Sequence, residues 1–345
     1  MGRGFVWRDA GRTVVFGEGG VERAVEVFAE HGVADFELLS TERALAGAPK
    51  LAEAASAVHE VPSGQVPDLA ATLLQPEVAL LAGMRQEVRP QMVALGGGRV
   101  VDVVKAVASV TGADVIAIPT TMSGAEMTAI HRLPAGAESR AQDMVRPRLV
   151  IADPAAMTSQ PEVALRASSM NALAHGADSL YTPFTNPLSE HAAVQGAGLI
   201  ATALDQDPAK RDRAGLALGS ILCGYAIDSA GLGLHHVICQ TLVRLTGTPH
   251  AETNAAILPP ALAFLVSRAP QAFEPLAAAL GTDLDGLAPR ITALGQPPAL
   301  APLSTQPENL EPALEAMLKR SELSHVPCPA VTHEDLAGIV AAAWK

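Results

Sequence analysis

Aromatic residues are scarce in this 345-residue chain, at 3%, so Ala, Val and Leu must build the core of what is otherwise a globular composition. Cysteine is scarcer still. The three present, Cys223, Cys239 and Cys328, form no CxxC pair and are odd in number, which speaks against a disulfide framework and fits a reducing compartment. No run of about 18 uncharged apolar residues occurs, and the start, Met1-Gly2-Arg3-Gly4, leads into no apolar stretch with a cleavage site. A cytoplasmic protein is expected, neither secreted nor membrane-spanning. Net positive charge is also missing. The formal balance of −12 argues against nucleic-acid or anionic-membrane partners, while leaving room for a local basic pocket around a small anion.

The length exceeds what one core usually serves, so two domains are expected. Short apolar runs at Thr13–Phe16, Phe36–Leu39, Met92–Leu95, Val115–Ile118 and Leu149–Ala152 read as strands. They alternate with amphipathic stretches at 20–31, 43–57, 67–75 and 98–110, which read as helices. This alternation predicts a parallel α/β sheet. From Asp153 onward β-type runs vanish and Ala/Leu-rich helical segments dominate, placing an α/β domain at 1–152 and a helical domain at 153–345.

The most informative segment is Leu95-Gly96-Gly97-Gly98-Arg99-Val100-Val101-Asp102-Val103-Val104-Lys105, an apolar strand that ends in three glycines and runs into a helix. Backbone N–H groups at such a junction, with the positive end of the helix dipole, form a seat for a phosphate or pyrophosphate. Val100, Val103, Val104 and Val107 share one face of the helix, and Arg99, Asp102 and Lys105 the other. That charged face is either solvated or turned toward a nucleotide. The earlier Gly17-Glu18-Gly19-Gly20 fails the dinucleotide fingerprint, because Glu22 stands where a third glycine is needed, and reads as a plain strand-to-helix turn. A second strand enters Pro119-Thr120-Thr121-Met122-Ser123-Gly124, putting hydroxyls at the sheet's carboxyl edge; they serve either a phosphate and ribose or turn and helix capping.

GGGRVVDVVK, IPTTMSGAEMT, SMNALAHGADSLY and LHHVICQTLVRLTGTPHAETNAAILP, in that order, resemble the iron-containing alcohol dehydrogenase superfamily, which includes dehydroquinate synthases. Within it they look most like the maleylacetate reductases. The resemblance implies a dehydroquinate synthase-like fold: an α/β N-terminal Rossmann-like domain that binds NADH or NADPH, an all-α C-terminal domain, a site in the cleft between them, and a homodimer. It implies cofactor contacts from Gly97, Gly98, Asp102, Thr120, Thr121, Ser123, Ser40 and Thr41. Asn171, His175, His236 and His250 are the implied catalytic set. The implied substrate is a small anionic oxo-acid met in aromatic compound catabolism, with Arg244 and Arg132 as candidate partners for its carboxylates.

Departures from the family pattern carry their own expectations. Arg99 stands where many members have Ser, and Thr41 where NAD-specific relatives place an Asp, so NADPH is not repelled. Asn171 replaces the Asp of the usual one-Asp, three-His set that binds iron or zinc in metal-dependent relatives. The lost negative charge weakens any hold on a dication, so the histidines are expected to act directly, and a divalent metal, iron or zinc, is possible but not expected, any that binds being weak or adventitious. Gln240 occupies the place of another imidazole and cannot exchange a proton at neutral pH. His235 is expected to pack or to support its neighbour. The alternatives are a metal-dependent alcohol or polyol dehydrogenase on the same scaffold, and a nucleotide-binding homologue that has lost turnover.

Overall fold

A computed structural model describes residues 11–75, 89–141 and 144–345; the N-terminal tetrapeptide considered above lies outside them. The chain divides into two compact units between Ser159 and Gln160, a short way beyond the last strand.

The first unit is built on a six-stranded, all-parallel sheet: β1 (Thr13–Phe16), β2 (Phe36–Ser40), β3 (Ala57–Glu60), β4 (Gln91–Gly96), β5 (Asp114–Pro119) and β6 (Leu149–Ala152), in the order β1-β6-β5-β4-β2-β3. The central strands are buried along nearly their whole length, as a sheet covered on both faces requires. Five strands fall where their apolar runs predict. The stretch 43–57, expected as one helix, is instead α2 (Glu42–Ala46) and α3 (Pro49–Ala54), after α1 (Ala24–Glu30), and its end enters β3. Pro49, lacking an N–H, starts the second helix and cannot continue the first. In β3 the burial alternates between half-buried and exposed, an edge-strand pattern too short to register as an apolar run.

Helix α4 (Val66–Leu73) precedes β4, and α5 (Gly98–Thr111) follows it. The valine face of α5 packs against the sheet, and Gly112 closes the helix in the left-handed conformation. Its opposite face is not solvated as a whole. Lys105 is fully buried, and its ammonium donates to Asp102 Oδ1 (2.9 Å) and to the carbonyls of Ala125 (3.0 Å) and Ile130 (2.7 Å). This cation ties the segment after β5 down onto α5, while Arg99 stays exposed. The short helix α6 (Pro154–Met157), capped by Asp153, ends the unit.

The second unit is entirely helical: α7 (Glu162–Asp178), α8 (Pro187–Asp205), α9 (Arg213–Ala230), α10 (Leu234–Thr246), α11 (His250–Arg268), α12 (Pro270–Ala279), α13 (Leu287–Gly295), α14 (Leu310–Leu318) and α15 (His333–Trp344). From Ala167 to Asp178, α7 is buried on every side, with α8, α9 and α11 among its neighbours. It is therefore the unit's central helix, and its polar residues lie in the interior. Among the described residues no single helix is long and apolar enough to cross a membrane.

Candidate active site

In the helical unit, Asn171, His175 and Asp178 follow one another at i, i+4 and i+7 along α7, which places them on one face. All three are buried. Across from them the chain turns by 99° between α9 and α10, and the N-terminal turn of α10 delivers His235 and His236. Gly233 makes that approach feasible, since a Cβ there would sit 2.0 Å from the Tyr181 hydroxyl and 2.8 Å from Asp178 Oδ1.

Asp178 is the hub. Its Oδ2 accepts from His236 Nδ1 (2.7 Å) and from the backbone N–H groups of Gly233 (3.2 Å) and His236 (3.3 Å), and its Oδ1 accepts from Tyr181 (2.8 Å). Burial by itself would raise the carboxyl pKa, but the hydrogen bond and charge of His236, with the neighbouring His235 and the Tyr181 hydroxyl, hold it down at about 2. An ionised Asp178 holds a proton on His236 Nδ1, so that Nε2 is the nitrogen that can gain or lose one. That Nε2 is buried and has no hydrogen-bond partner among the described residues.

His175 stacks on His236, with ring centroids 4.7 Å apart and planes 12° from parallel. Burial, then the neighbouring His236 and His235, push the His175 pKa well below the usual imidazole value, so it is neutral at physiological pH. His235 sits edge-on to His236 at 4.9 Å and gives Nε2 to the carbonyl of Asn254 (3.0 Å); burial pulls its pKa down to about 4. It is a neutral supporting ring. His250 occupies the exposed first position of α11, within electrostatic range of both His175 and His235. Gln240, one turn beyond His236, accepts from Arg320 (3.1 Å), whose guanidinium is gripped by Glu322. Of the candidate carboxylate partners, Arg244 is exposed and Arg132 donates to Gln65 (2.7 Å).

Asp178 and Tyr181 were not singled out in the sequence. The available signal was the third step of the Asn171–His175 spacing, but an acid three residues after a helical His ordinarily reads as solvated.

In the sheet unit, Gly98 and Arg99 open α5 with N–H groups that precede the first intrahelical bonds. The glycines are needed for close packing of the segment after β5: a Cβ on Gly97 would meet Thr121 Cγ2 at 2.9 Å, and one on Gly98 would meet Ser123 Cβ at 2.7 Å. The hydroxyl residues are thereby held against the helix start. Ser123 also lies 3.5 Å from Glu126, a buried carboxyl whose pKa burial raises to about 7. Ser40 is spent within the sheet, donating to the Leu95 carbonyl (2.7 Å), while Thr41 caps α2 through Ala44 N–H (3.4 Å). Asp102 holds Lys105, and Thr120 lines a cavity of about 440 Å³ at the carboxyl ends of the strands.

Comparison with known proteins accords with this architecture. Residues 166–344 match the C-terminal domain of the Fe-containing alcohol dehydrogenase family, and residues 11–154 match the iron-containing alcohol dehydrogenase domain. The chain belongs to the iron-containing alcohol dehydrogenase family, and it is an oxidoreductase of that family. It is similar to the maleylacetate reductase of a Rhizobium species, 32% identical over 321 residues and 90% of each chain. Maleylacetate reductase 1 of Rhodococcus opacus is 30% identical over 273 residues, 77% of this chain and 76% of the relative. Among solved structures, an iron-containing alcohol dehydrogenase from Corynebacterium glutamicum superposes with a TM-score of 0.86 at 29% identity, covering 99% of this chain and 97% of the other. Maleylacetate reductase from Agrobacterium tumefaciens gives a TM-score of 0.83 at 29% identity, covering 99% and 98%.

The family's iron requires converging donors. Asp178, His235 and His236 each place a ligand-type atom within 4.8 Å of the others. Asp178 is committed to three N–H groups and a hydroxyl, and His235 Nε2 to Asn254, but His175 Nδ1, His235 Nδ1 and His236 Nε2 are buried with no hydrogen-bond partner among the described residues. On the α7 face beside them the residue is the neutral Asn171, so no free carboxylate offsets a dication there. The set thus offers unpartnered imidazole nitrogens to a divalent ion, with Asn171 supplying no charge to offset it.

Proposed function

We propose that this protein is an NAD(P)H-dependent reductase of a small oxo-acid, of the maleylacetate reductase type, converting maleylacetate to 3-oxoadipate in aromatic compound catabolism. The observation that carries this reading is the buried Asp178–His236 pair, which leaves one imidazole nitrogen bare beside a neutral His175. Relatives that resemble the chain over nearly its full length and bear the name maleylacetate reductase support the substrate class.

The cofactor fits the sheet unit: the amides that open α5 suit a pyrophosphate, and the cavity at the strand ends suits a nucleotide. When bound, the reduced nicotinamide supplies the hydride. In the helical unit, His236 holds the proton that completes the reduction. Asp178 stabilises the imidazolium by its fixed negative charge, so His236 protonated on both nitrogens can give the Nε2 proton to the enolate oxygen that forms as the conjugated C=C bond is reduced. Loss of that proton returns His236 to its Nδ1–H form. Tautomerisation of the enol then gives the 3-oxo product. Neutral His175 and the Asn171 amide offer hydrogen bonds to the substrate without competing for the proton.

The test is to mix purified protein with NADH or NADPH and maleylacetate and to follow cofactor oxidation and 3-oxoadipate formation. Consumption of cofactor with matching product supports the assignment. Bound cofactor that is not oxidised by this substrate removes it.

A further inference from the structure

The cavity in the sheet unit lies where the strand order reverses: from β2 the chain continues to β3 on one side, and from β4 to β5 on the other. Its lining comes from the carboxyl ends of several strands, with Arg43 beyond β2, Leu95 on β4, Thr120 beyond β5 and Asp153 beyond β6. In sheets of this kind the end of the second strand faces the adenosine ribose of a dinucleotide, and the charge of the residues there separates a 2′-hydroxyl from a 2′-phosphate. An acid accepts from the hydroxyl and repels the phosphate. A guanidinium does the reverse.

At that position the chain has no acid lining the cavity. Ser40 donates to the Leu95 carbonyl and Thr41 accepts from Ala44 N–H, and neither brings a charge that would repel a phosphate. Two residues further on, Arg43 lines the cavity and makes no ion pair or hydrogen bond with any described residue. The acids of the lining stand elsewhere. Asp153 has both oxygens occupied, by the N–H groups of Ala155 (2.9 Å) and Val21 (3.1 Å). Glu22 follows β1, which β6, β5 and β4 separate from β2. The free cation is thus the group nearest in sequence to the ribose-facing strand end.

Building on the nucleotide-binding role proposed above, we infer that Arg43 makes this cavity selective for a 2′-phosphorylated dinucleotide, NADPH over NADH. A phosphate dianion gains a charge-assisted, bidentate partner in Arg43 that a ribose hydroxyl cannot use fully.

The experiment is equilibrium titration of the intact protein with NADPH and NADH, read by nicotinamide fluorescence, and with adenosine 2′,5′-bisphosphate against 5′-AMP, read by calorimetry. NADPH and the bisphosphate are expected to bind at least about tenfold more tightly than their unphosphorylated counterparts. In Arg43→Ala that advantage is lost while NADH affinity stays within about twofold, and Arg43→Lys retains part of it. Arg43 is exposed, so both variants are expected to fold. Equal or tighter NADH binding, or an Arg43→Ala variant that weakens both cofactors alike, overturns the selectivity while leaving the cofactor role intact. Failure of the wild type to bind either cofactor overturns the underlying role and the selectivity with it.

Discussion

His236 Nδ1 lies 2.7 Å from Asp178 Oδ2, and both side chains are buried. An ionised acid in that position fixes which imidazole nitrogen carries the proton, and so decides that the other is the one able to exchange it. In Asp178→Asn the amide can present an N–H to Nδ1 and favour the wrong tautomer. The expected result is a fall in kcat of about 10² or more, a displaced pH–rate profile and an unchanged Kd for the cofactor. Circular dichroism confirms the fold, and NMR of labelled imidazole nitrogens reads the tautomer directly. An unchanged pH profile in the variant contradicts the positioning role.

Asn171 bears on the metal. The wild type is expected to purify with far less than one iron or zinc per chain and to keep its turnover in a chelator. Asn171→Asp restores a carboxylate one helical turn before His175, and is expected to raise zinc affinity by at least about tenfold. Calorimetric titration with zinc measures this. Stoichiometric metal in the wild type, lost together with activity on chelation, would favour the metal-dependent alcohol or polyol dehydrogenase instead.

Glu126 makes stability depend on pH. Burial raises its folded-state pKa to about 7 from a reference of 4.5. Between those values the unfolded chain releases a proton that the native protein retains, so stability falls as pH rises from about 4.5 to about 7 and then levels off. The contribution is at most about 3 kcal/mol. Glu126→Gln removes it. Denaturant titrations at pH 5 and pH 8 are expected to differ less for the variant than for the wild type, with the variant's gain confined to the higher pH.

Gly98 tests the phosphate seat. An added Cβ meets Ser123 at 2.7 Å, so Gly98→Ala must push the hydroxyl segment away from the start of α5. Destabilisation of about 1–3 kcal/mol is expected, together with weaker cofactor binding. Thermal denaturation and fluorescence titration measure the two separately.

Much of this was legible in the sequence because it rests on local pattern. The strand runs located β1, β2, β4, β5 and β6, and the triple glycine marked the start of α5. The edge strand β3 was hidden because its alternation resembles a helix end when its partner β2 is unknown. Lys105 read as part of a charged helix face because nothing nearby in sequence reveals that the carbonyls of Ala125 and Ile130 close over it. His175 and His236 were placed in one site by family register, and they stack there. The partner that sets the chemistry, Asp178, depends on a turn between α9 and α10 more than fifty residues away, which spacing along α7 alone cannot disclose.

The most direct measurement compares the wild type with His236→Asn in maleylacetate-dependent oxidation of the reduced cofactor, with cofactor affinity determined for both. Turnover by the wild type is predicted, with a fall of at least about 10² in kcat for the variant at unchanged cofactor Kd. Equal turnover by the two proteins would contradict the account.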